Sequence, residues 1–89
     1  MVRAPLEKTG RWMVIVTTDS KGRVRAFPHE GRDHDAAFQW IERRHADANG
    51  LWMVHWEKGF ASRADAETRA REIERDVGAG KKPGTVPVN

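Results

Sequence analysis

The chain has 89 residues and a mass of 10.1 kDa; 38% of its residues are hydrophobic, 33% are charged, and none is cysteine. A chain of this size buries only about 60% of its unfolded surface, so it must form one domain of modest stability on apolar packing alone. Its longest apolar run, residues 12–16, is far short of the roughly 20 residues that a membrane span requires, and no charged-then-apolar leader is present. We therefore expect a cytoplasmic protein that contacts no membrane.

The charge is unevenly distributed along the chain. Residues 1–32 carry seven basic and three acidic side chains, for a net charge of +4, whereas residues 33–77 sum to -3. Lys81 and Lys82 add the remaining +2, giving +3 overall and a pI of about 9.8. A positive field concentrated near the N-terminal third favours attraction to a polyanion, although a mixed, solvated surface explains the same charges.

The first third of the chain predicts a hairpin with a basic face. We expect a flexible arm over residues 1–10 and a strand over 11–18, which is apolar on both alternating sides, as in a central strand. A turn at residues 19–22 leads to a second strand over 23–27, ended by Pro28 and Gly31. Val24 and Ala26 share one side of that strand, and the other side carries Arg23, Arg25 and Phe27.

Two helices and one more strand follow. Asp33 is expected to cap a helix that continues to about Asp47, with Ala37, Phe38, Ile41 and Ala48 on one face. Residues 51–56 predict a third strand, with Leu51, Met53 and His55 on one side and Trp52, Val54 and Trp56 on the other. Ser62 is expected to cap a second helix, which carries a narrow apolar stripe of Ala66, Ala70, Ile73 and Val77.

The resulting order is β-β-α-β-α, an α+β fold. It predicts a three-stranded antiparallel sheet in the order 2-1-3, with both helices packed on one face and the other face open. We expect one domain over residues 11–77 and a flexible basic tail over 78–89.

No arrangement of residues predicts catalysis, a metal or a cofactor. Among the four histidines, His34 and His45 lie on one helix face but about 16 Å apart, too far to share an ion. The serines Ser20 and Ser62 are explained by turn and cap chemistry, and no glycine-rich phosphate loop opens a helix. We therefore expect that the protein is not an enzyme.

The remaining candidate is a basic and aromatic binding surface. Arginine reads guanine edges or phosphates, and exposed aromatic rings stack on unpaired bases. The candidate nucleic-acid-binding residues are Arg11, Lys21, Arg23, Arg25, Phe27, Trp52 and Trp56. Two alternatives stay open: the tryptophans form core while the arginines keep the surface soluble, or the same residues anchor a protein interface.

Two stretches resemble the arm-type, plant-transcription-factor-like DNA-binding domains of phage integrases. The first is Gly50-Leu51-Trp52-Met53-Val54-His55-Trp56, followed by Lys58-Gly59-Phe60-Ala61-Ser62-Arg63-Ala64-Asp65-Ala66-Glu67. The second, Gly10-Arg11-Trp12 through Lys21-Gly22-Arg23-Val24-Arg25, is similar to the opening hairpin of those domains. The resemblance implies DNA binding through a three-stranded sheet supported by a helix, although here a helix separates the second and third strands.

The element order, with Ser62-Arg63-Ala64-Asp65-Ala66 opening the last helix, also resembles the GIY-YIG nuclease core. The chain has no tyrosine to match the two motif tyrosines of that family, and Ala70 stands at the position of its metal-binding glutamate. This resemblance implies a scaffold that binds without cutting.

From the sequence we therefore expect a small non-catalytic protein that binds nucleic acid, DNA rather than RNA. The alternative is a protein-interaction module, such as a phage- or plasmid-type inhibitor or adaptor, that uses the same tryptophan-rich surface.

Overall fold

The chain forms one three-stranded sheet with two helices. The computed structural model describes residues 10–46 and 49–80. The elements are β1 (Trp12–Asp19), β2 (Val24–Glu30), α1 (His34–His45), β3 (Leu51–Phe60) and α2 (Arg63–Gly78). The sheet is antiparallel in the order β2-β1-β3. The α+β class, the element order and the central position of the first strand are confirmed.

The two helices lie on opposite faces of the sheet, so the expectation that both pack on one face is wrong. Both sides of β1 are apolar, and each side needs its own cover. Met13 and Ile15 pack with Ala37 and Ile41 of α1, on what we call the α1 side. On the other side, the α2 side, lies the second cluster, which consists of Val14, Val16, Ala26, Ala66, Ala70 and Ile73. The sheet therefore has no open central face.

Both helices begin where their capping residues predict. The Asp33 carboxylate accepts hydrogen bonds from the backbone N–H groups of Asp35 and Ala36, at 3.0 and 3.2 Å. The Ser62 hydroxyl accepts one from the backbone N–H of Asp65 at 3.1 Å. These bonds satisfy N–H groups that have no partner within a first helical turn. None of the helices in the described ranges combines the length and hydrophobicity that a membrane crossing needs.

Two strands run further than their sequences predict. β2 continues through Pro28 to Glu30, although Pro28 was expected to end it. Proline is tolerated there because β2 is an edge strand and the missing N–H would point away from the sheet. β3 continues to Phe60. Residues 1–9 and 81–89, which hold most of the predicted arm and tail, and residues 47 and 48, near the expected end of the first helix, lie outside the described residues.

An extra residue in β3 changes which side its later residues face. Val16 pairs with His55 and Thr17 with Met53, so Val54 has no partner of its own on β1. A β-bulge of this kind reverses the alternation beyond it. Trp52 pairs with Thr18 on the α2 side, whereas Trp56 pairs with Ile15 on the α1 side. The expectation that Trp52 and Trp56 share a face is therefore wrong.

Candidate nucleic-acid interface

The hairpin turn is organised by the Asp19 carboxylate. Its Oδ1 accepts hydrogen bonds from the backbone N–H groups of Lys21 and Arg23, both at 2.9 Å. Its Oδ2 accepts one from Arg23 Nε at 2.9 Å. These bonds, led by the one from the Arg23 backbone, hold the pKa of Asp19 below its ordinary value. The charge of Arg23 is thus already paired, whereas the Lys21 side chain extends from the turn into solvent.

Arg25 and Phe27 lie side by side on β2 and meet the end of α1. The Phe27 ring stacks on His45 with 4.7 Å between ring centroids. The Arg25 guanidinium carbon lies 5.1 Å from the centroid of the same ring. Arg25 Nε also lies 3.8 Å from a carboxylate oxygen of Glu74, a long contact for an ion pair. The first stack therefore joins two basic groups to one aromatic ring.

A second stack lies beside the first. The Arg44 guanidinium carbon lies 4.1 Å from the centroid of the Trp40 ring, four residues earlier in α1. The His29 ring meets Trp40 edge-on at 5.3 Å. His29 is two residues beyond Phe27, so both project from the same side of β2. We call the six residues of the two stacks the β2–α1 surface: Arg25, Phe27, His29, Trp40, Arg44 and His45.

Several cations around this surface have no carboxylate partner. Within residues 10–46 and 49–80, no carboxylate lies at ion-pair distance from the side chains of Lys21, Arg43 or Arg44. Arg43, Arg44 and His45 occupy the last turn of α1, where positive charge also suits the helix dipole. Unpaired guanidinium and ammonium groups keep their donors free for an anionic ligand.

A cavity of about 200 Å³ lies where the hairpin meets the end of α1. Basic and aromatic side chains line it together, namely those of Arg23, Arg25, Phe27 and His45. Thr17 also lines it and is fully buried, and its hydroxyl has no hydrogen-bond partner among the described residues. The sequence-predicted residues Arg23, Arg25 and Phe27 are therefore brought together around one depression.

The other predicted site residues lie elsewhere. Arg11 precedes β1 at the end of the hairpin opposite the turn, where its carbonyl accepts a hydrogen bond from Gly31. Trp56 stacks on His34 at the start of α1, with 3.9 Å between centroids and 8° between planes. Trp52 lies on the α2 side next to Gly50. These three residues do not form one platform with the hairpin cations.

The strongest ion pair in the described region is on the α2 side, away from this surface. Arg69 donates two hydrogen bonds to Glu57, at 2.7 and 2.8 Å, and a longer one to Glu72 at 3.3 Å. His55 lies 2.9 Å from the same Glu57 carboxylate. The bonds from Arg69, followed by the one with His55, hold the pKa of Glu57 below its ordinary value. This network links β3 to α2. Because Arg69 is already paired with carboxylates, the network offers no free cation to a polyanion.

The histidines and carboxylates of the described residues are dispersed. In residues 10–46 and 49–80, no three side chains of the kinds that bind metals are grouped around one point. His34 lies 3.6 Å from Asp35 and is otherwise covered by Trp56. The described residues therefore contain no candidate metal site.

Sequence reasoning missed four members of the β2–α1 surface: His29, Trp40, Arg44 and His45. The Trp40–Arg44 contact had a signal, because residues four apart on a helix are neighbours and arginine stacks on tryptophan. No sequence signal indicated His29 or His45, because their contact partners are distant in sequence. No protein-family model, curated protein or solved structure matches this chain.

Proposed function

We propose that this protein binds nucleic acid without catalysis, through the β2–α1 surface and the adjoining hairpin turn. The observation that carries the proposal is the pair of neighbouring stacks, in which Arg25 lies against Phe27 and Arg44 lies against Trp40. Both arginines are exposed, and two histidines complete the stacks.

The stacks suit contacts to phosphate. A guanidinium resting on an aromatic ring is held in a limited set of positions while its N–H groups stay directed at the surrounding solvent. Less side-chain freedom is then lost when it binds a phosphate oxygen. Each phosphate contact also releases condensed counterions, which favours binding at low salt.

The proposed contacts are to the nucleic-acid backbone, because the Phe27 and Trp40 rings of the β2–α1 surface each already have a guanidinium against them. His45 and Arg25 lie against Phe27, and Arg44 lies against Trp40. Backbone contacts fix orientation and carry little sequence information. We therefore propose low sequence preference, with DNA as the first ligand to test. The resemblance to integrase arm-type domains supports the same choice.

Fluorescence-anisotropy titration of labelled double-stranded DNA, single-stranded DNA and RNA, each at low and near-physiological salt, tests the proposal. A double variant, Arg23→Glu with Arg25→Glu, should abolish binding. The matched control reverses the charges of Arg71 and Arg75, which are also exposed arginines and lie on α2. Unchanged binding by the first variant would refute the proposal. Absence of binding by the wild-type protein even at low salt would favour the protein-interaction alternative.

A further inference from the structure

The two edges of the sheet differ in how well they are closed. On β2, the backbone N–H of Ala26 donates a 2.8 Å hydrogen bond to the Glu74 carboxylate from α2. Pro28, two residues further along, has no N–H to offer. Edge strands are commonly protected in such ways against pairing with another chain. β2 is therefore a poor template for a further strand.

Among the described residues, the outer edge of β3 has neither a proline nor a side-chain hydrogen bond of this kind. At the two ends of the hairpin, the backbone N–H of Asp19 donates to the carbonyl of Arg23, and the carbonyl of Arg11 accepts from the N–H of Gly31. Bonded pairs alternate along an antiparallel ladder, so Val14 and Val16 direct their backbone groups at β3.

The β3 residues paired with Val14 and Val16 are Glu57 and His55, which therefore face β1. Trp56 and Lys58, which alternate with them, direct their backbone N–H and C=O groups outward. Within residues 10–46 and 49–80, no hydrogen bond from outside the sheet reaches these groups. An open stretch of backbone edge is thus available for pairing.

The same strand carries most of the exposed apolar surface. Among the described residues, four large hydrophobic side chains are exposed, and three of them are on β3: Trp52 at 50%, Val54 at 48% and Trp56 at 42%. Trp56 is also fixed in place by its stack on His34. A long edge with exposed apolar side chains is the usual surface for strand addition.

We propose that the occupant of this edge is a second copy of the chain, paired antiparallel through β3 about a two-fold axis at Trp56. In that register, Trp56 lies opposite Trp56 of the second copy on the α1 side. His55 lies opposite Glu57 of the second copy on the α2 side, and the symmetry repeats that contact. An imidazole and a carboxylate that face each other across two strands can hydrogen-bond, and such cross-strand pairs stabilise a sheet.

The neighbouring register is disfavoured by charge. Centring the axis on Glu57 places two carboxylates directly opposite each other, and like charges in that position are destabilising. The Trp56 register also brings Val54, the bulge residue, next to Lys58 of the second copy, where the alkyl stem of the lysine can cover an apolar side chain. The polar and apolar side chains of β3 can thus pair with those of a second copy, as a two-fold interface requires.

Sedimentation equilibrium of the nucleic-acid-free protein, over a roughly hundredfold range of concentration, tests this. The expected result is a concentration-dependent mass approaching twice 10.1 kDa. Val54→Lys should raise the dimer dissociation constant about tenfold or more, because it sets lysine against Lys58 twice. Adding Lys58→Glu to that variant should restore the dimer.

The control is Gln39→Lys, an equal charge change at an exposed position of α1, which should leave the dimer intact. Val54 belongs to neither buried cluster, so Val54→Lys should fold, and circular dichroism checks this. A wild-type protein that stays monomeric throughout the range overturns the proposal. Failure of Lys58→Glu to rescue the folded Val54→Lys variant overturns the register. Neither result depends on whether the protein binds nucleic acid.

Discussion

The salt dependence of DNA binding by an Arg44→Gln variant tests the proposed interface most directly. Four cations lie on the β2–α1 surface, beside it or at the turn: Lys21, Arg25, Arg43 and Arg44. Among the described residues, Lys21, Arg43 and Arg44 have no carboxylate at ion-pair distance, and Arg25 has the long 3.8 Å contact with Glu74. If each neutralises one phosphate, log K should fall against log salt with a slope of about -3.6, from about -0.9 per contact. Removing Arg44 should reduce the slope to about -2.7.

These slopes are far enough apart to measure. Between about 50 and 200 mM salt, wild-type affinity should fall about 150-fold and that of Arg44→Gln about 40-fold. Fluorescence anisotropy with one duplex at four salt concentrations gives both slopes. Arg75→Gln is the matched control, since Arg75 is an exposed arginine in the last turn of α2. An unchanged slope for Arg44→Gln, or an equal reduction of the slope for Arg75→Gln, would contradict a phosphate contact at Arg44.

Three further predictions concern the fold. Glu57→Gln should lower the free energy of unfolding by about 2 kcal/mol at pH 7, because Arg69, which is only 15% exposed, loses a charged partner. Because the pKa of Glu57 is depressed below its ordinary 4.5, the difference in unfolding free energy between the wild type and Glu57→Gln should be complete above pH 4.5 and should narrow as the pH falls. Urea unfolding that gives the same free-energy difference at pH 7 and at pH 3 would contradict this. Gly10→Ala should lower the thermal midpoint, because its Cβ would collide with the backbone carbonyl oxygen of Phe60, and an unchanged midpoint would count against that close approach. Ile41→Ala should cost about 2–5 kcal/mol in chemical unfolding, because Ile41 is buried in the cluster under α1; a loss below 1 kcal/mol would show that α1 packs loosely.

Local patterns were sufficient to predict the elements and most of their faces. The alternation in β1 separates Val14 and Val16 from Met13 and Ile15, and these pairs do occupy different clusters. Capping chemistry located both helix starts because a capping side chain bonds to N–H groups only two or three residues away. The two partners of such a contact lie within three residues of each other, so a local sequence pattern reveals both.

The candidate site was only partly predictable, for a related reason. Arg23 directly precedes β2 and Arg25 and Phe27 lie on it, so alternation predicts that the three share one side. His29 and Trp40 meet only because α1 crosses the α1 side next to β2. No residue type in the sequence marks the bulge at Val54, yet it turns residues 55–58 to the sides opposite to those that alternation from Trp52 predicts.

The sequence alone determined an α+β chain, with its elements in order, a doubly apolar central strand and a basic hairpin. The side that each helix covers, the pairing of cations with carboxylates and the sheet edge that stays open depend on tertiary packing. Glu74 shows why: it closes the β2 edge at Ala26, 48 residues away in the chain, a contact that depends on how α2 is placed over the sheet. Periodicity shows which residues of a strand or helix face its neighbours, but the packing of the whole chain sets which elements those neighbours are.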